Sequence, residues 1–201
     1  MSERAIRFDA LYRGNPDPWA FRSSAYESAK YSATLAALPR DHYPIAIEIG
    51  CSIGELTSRL APRCDFVLGV DVSAVAIAEA KRQHVNCFNI AFIVAELPGF
   101  WPGLRADLIV LSELLYFLDT AEIRQLAEQV AEHWIDGGDC ALVNYLGPTD
   151  TAVDGDVAAD CFIETLARLR LTTTLTAERA SGYRLDVLRA GAARGEAGPP
   201  R

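Results

Sequence analysis

The stretch PIAIEIGCSIGELTSRL, residues 44–60, most constrains the fold of this chain of 201 residues. An apolar run ends abruptly on Gly50, and apolar residues at helical spacing begin after Gly54. A strand that passes into a helix through a short glycine turn is typical of open α/β sheets, whose ligands bind beyond the carboxyl ends of the strands. Glycine tolerates backbone angles closed to other residues and leaves room for a ligand. The turn therefore predicts a binding site at the end of the first strand.

Apolar runs and helical patterns alternate along the rest of the chain. The pattern predicts strands at 45–49, 66–71, 90–94, 107–112 and 139–145, and helices at 24–38, 54–61, 74–83, 120–134 and 156–169. Near-continuous apolar strands that alternate with helices predict a Rossmann-like, mostly parallel sheet with helices on both faces. Two further apolar stretches flank residues 179–182 and predict a C-terminal antiparallel hairpin. By fold analogy, that hairpin favours the seven-stranded sheet of class I methyltransferases over an all-parallel dinucleotide fold.

Length and composition fit a single domain. We expect this domain to cover residues 1–190, with a helical lid segment over 1–40. The tail over 191–201 is small and polar, and we expect it to be disordered.

Charge and cysteine content narrow the classes of partner. The formal net charge of −8 disfavours a nucleic-acid backbone, and the chain has no apolar run long enough to span a membrane. The five cysteines are scattered without paired spacing, which argues against a disulfide framework and against a metal site. We expect a cytoplasmic protein whose partner is neither a nucleic acid nor a membrane.

Two acids indicate which ligand the turn binds. Asp71 lies 21 residues after Gly50, the spacing at which an acid at the end of a strand reaches the hydroxyl pair of a ribose. Glu48 precedes a turn with only two glycines, Gly50 and Gly54, where a nicotinamide or flavin fingerprint has three. An acid there repels a pyrophosphate but suits the sulfonium and ammonium of S-adenosylmethionine, which we expect as the cofactor. A tight turn without any ligand is the alternative.

Four stretches, DPWAFRSSAYESAKY, EIGCSIGELTSRLAPRC, VDVS and DLIVLSELLYFL, together resemble the NodS-like family of nodulation N-methyltransferases. The resemblance covers roughly residues 16–145 and implies a class I S-adenosylmethionine-dependent methyltransferase. It also implies N-methylation of an amino group on a small molecule or an amino sugar, since NodS methylates the free amine of a deacetylated chitooligosaccharide. Two other functions stay open on this fold: an NAD-type oxidoreductase and a non-catalytic module that binds an adenosine ligand.

The resemblance places the cofactor at the carboxyl ends of four strands. The turn would lie under the methionine part, Asp71 would bind the ribose, Val72 would pack near the adenine, and Ser112 would lie beside the methionine. Together with Glu48, the expected cofactor-binding residues of the sheet are Gly50, Cys51, Gly54, Asp71, Val72, Ala95, Glu96, Leu97 and Ser112. For Glu96, a solvated loop acid is the alternative.

Glu113 directly follows the fourth strand, where a buried charge is costly without a partner. We expect Glu113, with Tyr116, to be catalytic, because a carboxylate near an amine can orient it or accept its proton. The alternative is a structural cap for the turn before Tyr116.

The aromatic-rich segment before residue 40 is the expected lid. A reactive sulfonium must be shielded from water, and the top of the sheet is open. We expect Trp19 and Tyr26 to pack on the cofactor by cation–π attraction and Arg22 to meet its carboxylate, with Lys30 on the helix face of Tyr26. The alternative is a helix that only covers the edge of the sheet.

Overall fold

A computed structural model describes residues 1–151 and 153–193. Its helices are α1 (Glu3–Gly14), α2 (Ala25–Ala37), α3 (Glu55–Leu60), α4 (Ala74–Gln83), α5 (Thr120–His133) and α6 (Gly155–Leu169). Its strands are β1 (Tyr43–Ile49), β2 (Cys64–Asp71), β3 (Ile90–Val94), β4 (Ala106–Ser112), β5 (Trp134–Tyr145), β6 (Arg170–Ala180) and β7 (Tyr183–Ala193). Single turns of 3₁₀ helix lie at Ala61–Arg63 and Leu115–Phe117.

The strands form one seven-stranded sheet in the order β3-β2-β1-β4-β5-β7-β6. Strands β1 to β5 pair in parallel, and β7 runs antiparallel to both of its neighbours. The predicted mostly parallel sheet with a C-terminal antiparallel hairpin is therefore confirmed. The sheet reverses its order between β1 and β4, and such a reversal opens a crevice at the carboxyl ends of the strands.

Helices cover both faces of the sheet, as the near-continuous apolar strands predict. On one face, Ile123 and Leu126 of α5 and Phe162 of α6 join a fully buried cluster with Ile109 and Leu142 of the sheet. On the other face, residues of α2 and α3 pack on β1, β4, β5 and β7. The central strands β1, β4 and β5 are apolar on both sides because both of their faces are covered, whereas the edge strand β6 is mostly exposed.

Helix α1 is an element that the sequence did not predict. The side chain of Ser2 caps its first turn by accepting a hydrogen bond from the N–H of Ala5. Its buried face consists of Ala5, Asp9 and Tyr12. Asp9 interrupts the stripe of apolar residues by which an amphipathic helix is recognised in a sequence.

The bounds predicted for the lid segment and for the tail can be compared with the observed helices and strands. Helices α1 and α2 both lie within the predicted lid segment, 1–40. Strand β7 continues to its last residue, 193, so it takes up the first three residues of the segment predicted to be a disordered tail. Residues 194–201 lie outside the described part of the chain. Within that part, every helix is too short or too polar to cross a bilayer.

Candidate active site

A cavity of about 580 Å³ opens at the carboxyl ends of β1, β2, β3 and β4. Side chains from α1, α2 and the loop after β5 complete its wall. All predicted site residues except Arg22 and Gly54 line it, namely Trp19, Tyr26, Glu48, Gly50, Cys51, Asp71, Val72, Ala95, Glu96, Leu97, Ser112, Glu113 and Tyr116. The fold thus gathers into one place residues that the sequence spreads over about a hundred positions.

The turn after β1 requires left-handed backbone at two glycines. Gly50 has φ +82° and Gly54 has φ +85°. Gly50 lines the cavity, whereas Gly54 begins α3, where an added Cβ would lie 2.7 Å from the ring of Phe92. Gly54 therefore serves the close packing beneath the turn and not the wall of the cavity, and a contact between Gly54 and the cofactor stays a prediction.

The carboxylate of Asp71 joins the turn to the end of β2. Its Oδ2 accepts a 2.9 Å hydrogen bond from the N–H of Ser52, and its Oδ1 accepts one of 2.8 Å from the N–H of Ser73. Burial raises the pKa of Asp71, although these hydrogen bonds act in the opposite direction. Each oxygen keeps a second lone pair, so the carboxylate can still accept from two hydroxyl groups of a ligand.

Glu48 is only 2% exposed and accepts a hydrogen bond from the hydroxyl of Thr57. Burial raises its pKa to about 8. The carboxyl is therefore mostly protonated at neutral pH in the free protein, and it repels an anion only after ionising. A cationic ligand group beside it would favour the ionised form.

Glu113 directly follows β4 and has φ +57°, a strained backbone conformation for a residue other than glycine. Its Oε2 accepts hydrogen bonds from the Tyr116 hydroxyl at 2.7 Å and from the Tyr145 N–H at 3.0 Å. Its Oε1 accepts one of 2.6 Å from the ammonium of Lys30. These partners join α2, β4 and β5, so Glu113 does more than cap its own turn.

Two side chains of α1 contact the turns that follow β1 and β2. Asp9 accepts hydrogen bonds from the Ser73 hydroxyl at 2.7 Å and from the Val75 N–H at 3.2 Å, at the start of α4. The hydroxyl of Tyr12 bonds to that of Ser52, whose φ is +52°. The free N–H groups at the start of α4 favour the negative charge of Asp9.

Arg4, in the first turn of α1, forms two ion pairs that link this helix to other elements. Its guanidinium lies 3.2 Å from the Glu96 carboxylate, after β3, and 2.7 Å from Glu122, on α5. Glu96 was predicted to lie near an adenine, and the structure pairs it with Arg4 while leaving it in the cavity wall.

Trp19 joins an aromatic cluster at the mouth of the cavity. Its ring centroid lies 5.7 Å from that of Tyr12 and 5.5 Å from that of Phe21, and the residue is 41% exposed. Tyr26 packs edge-on against Tyr183, with 6.2 Å between the ring centroids.

Arg22 lies outside the cavity, which corrects the prediction that it meets the cofactor. Its guanidinium is 3.3 Å from Glu79 on α4 and 3.5 Å from Asp17. Ser24 caps the helix of Tyr26 and α2 begins at the next residue, so Arg22 lies before that helix, as the predicted helix over 24–38 implies.

The family model and several curated relatives carry the same description. The sequence model of the family described as Nodulation protein S (NodS) matches residues 11–135. Nodulation protein S of Sinorhizobium fredii (strain NBRC 101917 / NGR234) is 32% identical over 72% of this chain and 63% of its own length. That of Bradyrhizobium diazoefficiens is 30% identical over 69% of this chain and 62% of its own length. The chain thus spans less than two thirds of the length of these relatives.

A solved structure matches the fold over nearly the whole chain. The crystal structure of the N-methyltransferase NodS from Bradyrhizobium japonicum WM9, in complex with S-adenosyl-L-homocysteine, superimposes with a TM-score of 0.74 at 20% identity. The match covers 94% of this chain and 99% of that one. The class I methyltransferase fold predicted from the sequence is thereby confirmed.

Proposed function

The chain belongs to the Nodulation protein S (NodS) family, and from that premise we propose that it is an S-adenosylmethionine-dependent methyltransferase. We propose an amino group of a small molecule or an amino sugar as the methyl acceptor. The proposal includes the cytoplasm as location, since all five cysteines are free.

The observation that carries the proposal is that Asp71 and Glu113 line one cavity. Asp71 ends β2, and each of its oxygens has a lone pair left for a hydroxyl of the ribose. Glu113 directly follows β4 and offers a carboxylate to an amine. The cavity therefore has one acid suited to the cofactor and another suited to the acceptor.

The charge of the cavity wall supports a cationic cofactor. Acidic side chains outnumber basic ones in the lining even without Glu48, which is mostly protonated in the free protein: Glu27, Glu55, Asp71, Glu96, Glu113 and Asp150 against Arg4, Arg7 and Lys30. Such a wall attracts a sulfonium, an ammonium or an amine and disfavours a pyrophosphate. The NAD-type oxidoreductase is the weaker alternative for this reason and because the turn lacks the third glycine.

Several residues fit S-adenosylmethionine. Asp71 would hold the ribose hydroxyls, Glu48 the ammonium, and the turn at Gly50 the methionine backbone. When bound, the cofactor supplies a methyl group activated on a positively charged sulfur. Holding the acceptor in line with this group accounts for roughly 7–11 kcal/mol of barrier lowering at best.

Glu113 has the central role in orienting the acceptor. An amine attacks only when its nitrogen lone pair is free, so Glu113 accepts one N–H and leaves that lone pair directed at the methyl carbon. The nitrogen–carbon bond forms as the carbon–sulfur bond breaks, the electron pair stays on sulfur, and the nitrogen then releases a proton to water. Burial raises the pKa of Tyr116, which stays protonated and donates to Glu113.

Transfer of a labelled methyl group from S-adenosylmethionine tests the proposal. Glucosamine oligomers offer free amines, and the fully N-acetylated oligomers are the matched control. We expect label on the free-amine oligomers or on other small primary amines, and none on the acetylated set. Absence of transfer to every amine, with S-adenosylhomocysteine bound, would refute the acceptor class and favour a non-catalytic binding module.

A further inference from the structure

Lys30 lies between two glutamates in the wall of the cavity. Its ammonium is 2.6 Å from Oε1 of Glu113 and 3.0 Å from the carboxylate of Glu27, and its side chain is only 3% exposed. Lysine is almost never so buried unless it is paired. With all three groups ionised, this array of Glu27, Lys30 and Glu113 carries one excess negative charge.

The array leaves Glu113 one acceptor position. An ionised carboxylate has about four lone-pair sites. Among residues 1–151 and 153–193, Tyr116 and Tyr145 donate to Oε2, and Lys30 donates to Oε1. The site still available for a further donor is therefore on Oε1, the oxygen that Lys30 holds.

We propose that Lys30 is a positioning residue for methyl transfer, which keeps Glu113 a carboxylate and presents the remaining lone pair of Oε1 to the acceptor amine. The proposal rests on the proposed function, because it assigns Glu113 to the acceptor. Without the ammonium, Glu27 and Glu113 would be two neighbouring carboxylates with no counter-charge, and one of them would take up a proton. A protonated Glu113 would lose the charge that orients an N–H.

Lys30 does not itself remove the proton from the amine. Burial by itself would lower the pKa of Lys30, but the charges and hydrogen bonds of Glu113 and Glu27 outweigh this effect and raise it. The side chain is thus a permanent cation, which also lies 5.3 Å from the ring centroid of Tyr26.

Other titratable and charged groups face the array from the elements packed around it. They are Tyr26 and Tyr31 on α2, Glu48 on β1, Glu55 and Arg59 on α3, Tyr116 after β4, Tyr145 on β5 and Tyr183 on β7. Burial raises the pKa of Tyr26, Tyr31 and Tyr116, so these hydroxyls stay neutral near neutral pH. Glu48 titrates near 8 and must be told apart from the array.

A direct test follows the carboxyl groups by NMR in the full chain, labelled with ¹³C at the glutamate carboxyls and without any ligand. Lys30→Met removes the charge at similar length. We expect this variant to show an additional glutamate with a raised pKa, lost again on adding Glu27→Gln or Glu113→Gln. Glu48→Gln identifies the resonance of Glu48 in both backgrounds. The same set of titrating carboxyls in the parent and in Lys30→Met would overturn the proposal.

The rate of methyl transfer gives the second readout. For each protein, the rate at pH 6 is divided by the rate at pH 9. We expect this ratio to be at least about fivefold lower in Lys30→Met than in the parent, while the affinity of the variant for S-adenosylhomocysteine stays within about twofold of that of the parent. Lys30→Met/Glu27→Gln restores a single excess negative charge and should return the profile toward the parent. A uniform loss at every pH would show that Lys30 has only a structural role.

Two outcomes are kept apart by this design. If the parent transfers no methyl group, the proposed function fails, while the carboxyl titration still decides the role of Lys30. If Lys30→Met does not fold, Glu27→Gln tests the proposal instead. In this variant Lys30 pairs with Glu113 alone, so the pH below which the rate of methyl transfer falls should stay the same or become lower. A move to higher pH would contradict the proposal.

Discussion

The N–H of Ser52 donates a 2.9 Å hydrogen bond to Oδ2 of Asp71, which joins the glycine turn after β1 to the end of β2. The two residues are neighbours because β1 and β2 pair in parallel, with Ile49 beside Val70. The acid that we assign to the ribose is therefore held by the turn that we assign to the methionine part of the cofactor. Both halves of the cofactor site depend on this one carboxylate.

Asp71→Asn should weaken the binding of S-adenosylhomocysteine by about 10- to 100-fold, because hydrogen bonds to a charged group contribute roughly 1.5–3 kcal/mol. Titration calorimetry measures the change. Asp65→Asn is the matched control, since the side chain of Asp65 is 70% exposed and lies outside the cavity. An affinity equal to that of the parent would remove Asp71 from the site.

Glu48→Gln should change how the stability of the free protein depends on pH. Burial raises the pKa of Glu48 to about 8, from 4.5 for an unperturbed glutamate. The folded chain thus keeps a proton that the unfolded chain releases, so the contribution of Glu48 to stability falls as the pH rises from about 4.5 to about 8.

The contribution of Glu48 to the free energy of unfolding falls by at most about 5 kcal/mol over this pH range. Glu48→Gln does not show this fall, because its side chain cannot ionise. Melting temperatures of the parent and Glu48→Gln should therefore diverge between pH 5 and pH 8, with the variant relatively more stable at the higher pH. Parallel curves would mean that Glu48 ionises normally.

Deletion of residues 1–14 should leave a folded core that binds S-adenosylhomocysteine much more weakly and does not turn over. This segment ends with α1, which places Tyr12 against the turn at Ser52 and Asp9 at the start of α4. Ile6→Ala is the control on the same helix, because Ile6 is 54% exposed. If the shortened chain binds as tightly as the full one, α1 only covers the edge of the sheet.

Glu113→Gln should preserve the fold and the affinity for S-adenosylhomocysteine but slow methyl transfer by about 100-fold or more, since the amide cannot orient an amine by charge. Single-turnover rates on an accepted amine measure the effect. Glu164→Gln changes a side chain that is 68% exposed and serves as the control. If Glu113→Gln transfers the methyl group as fast as the parent at every pH from 6 to 9, Glu113 has only a structural role.

The parts of the fold that could be predicted are those encoded locally. The glycine turn, the apolar strands and the acid at the end of β2 each follow from short-range pattern, and the topology of a parallel sheet then brings Gly50 and Asp71 together. The N-cap Asp119 and its capping-box partner Glu122 could also be read from their spacing, and both hydrogen bonds are present.

The parts that could not be predicted depend on distant partners. Lys30 and Glu113 are 83 positions apart, and nothing near Lys30 in the sequence indicates that its ammonium reaches Glu113. Arg22 lies in a turn before α2, where Asp17 accepts the N–H groups of residues 21 and 22, and nothing near Arg22 in the sequence indicates that its guanidinium pairs with Glu79. Both cases need the tertiary structure.

Calorimetric titration of the full chain with S-adenosylhomocysteine and, separately, with NAD tests the central claim most directly. The acidic cavity wall, the two-glycine turn and Asp71 predict saturable binding of S-adenosylhomocysteine and no detectable binding of NAD. Binding of NAD in preference to S-adenosylhomocysteine, or binding of neither, would contradict the account.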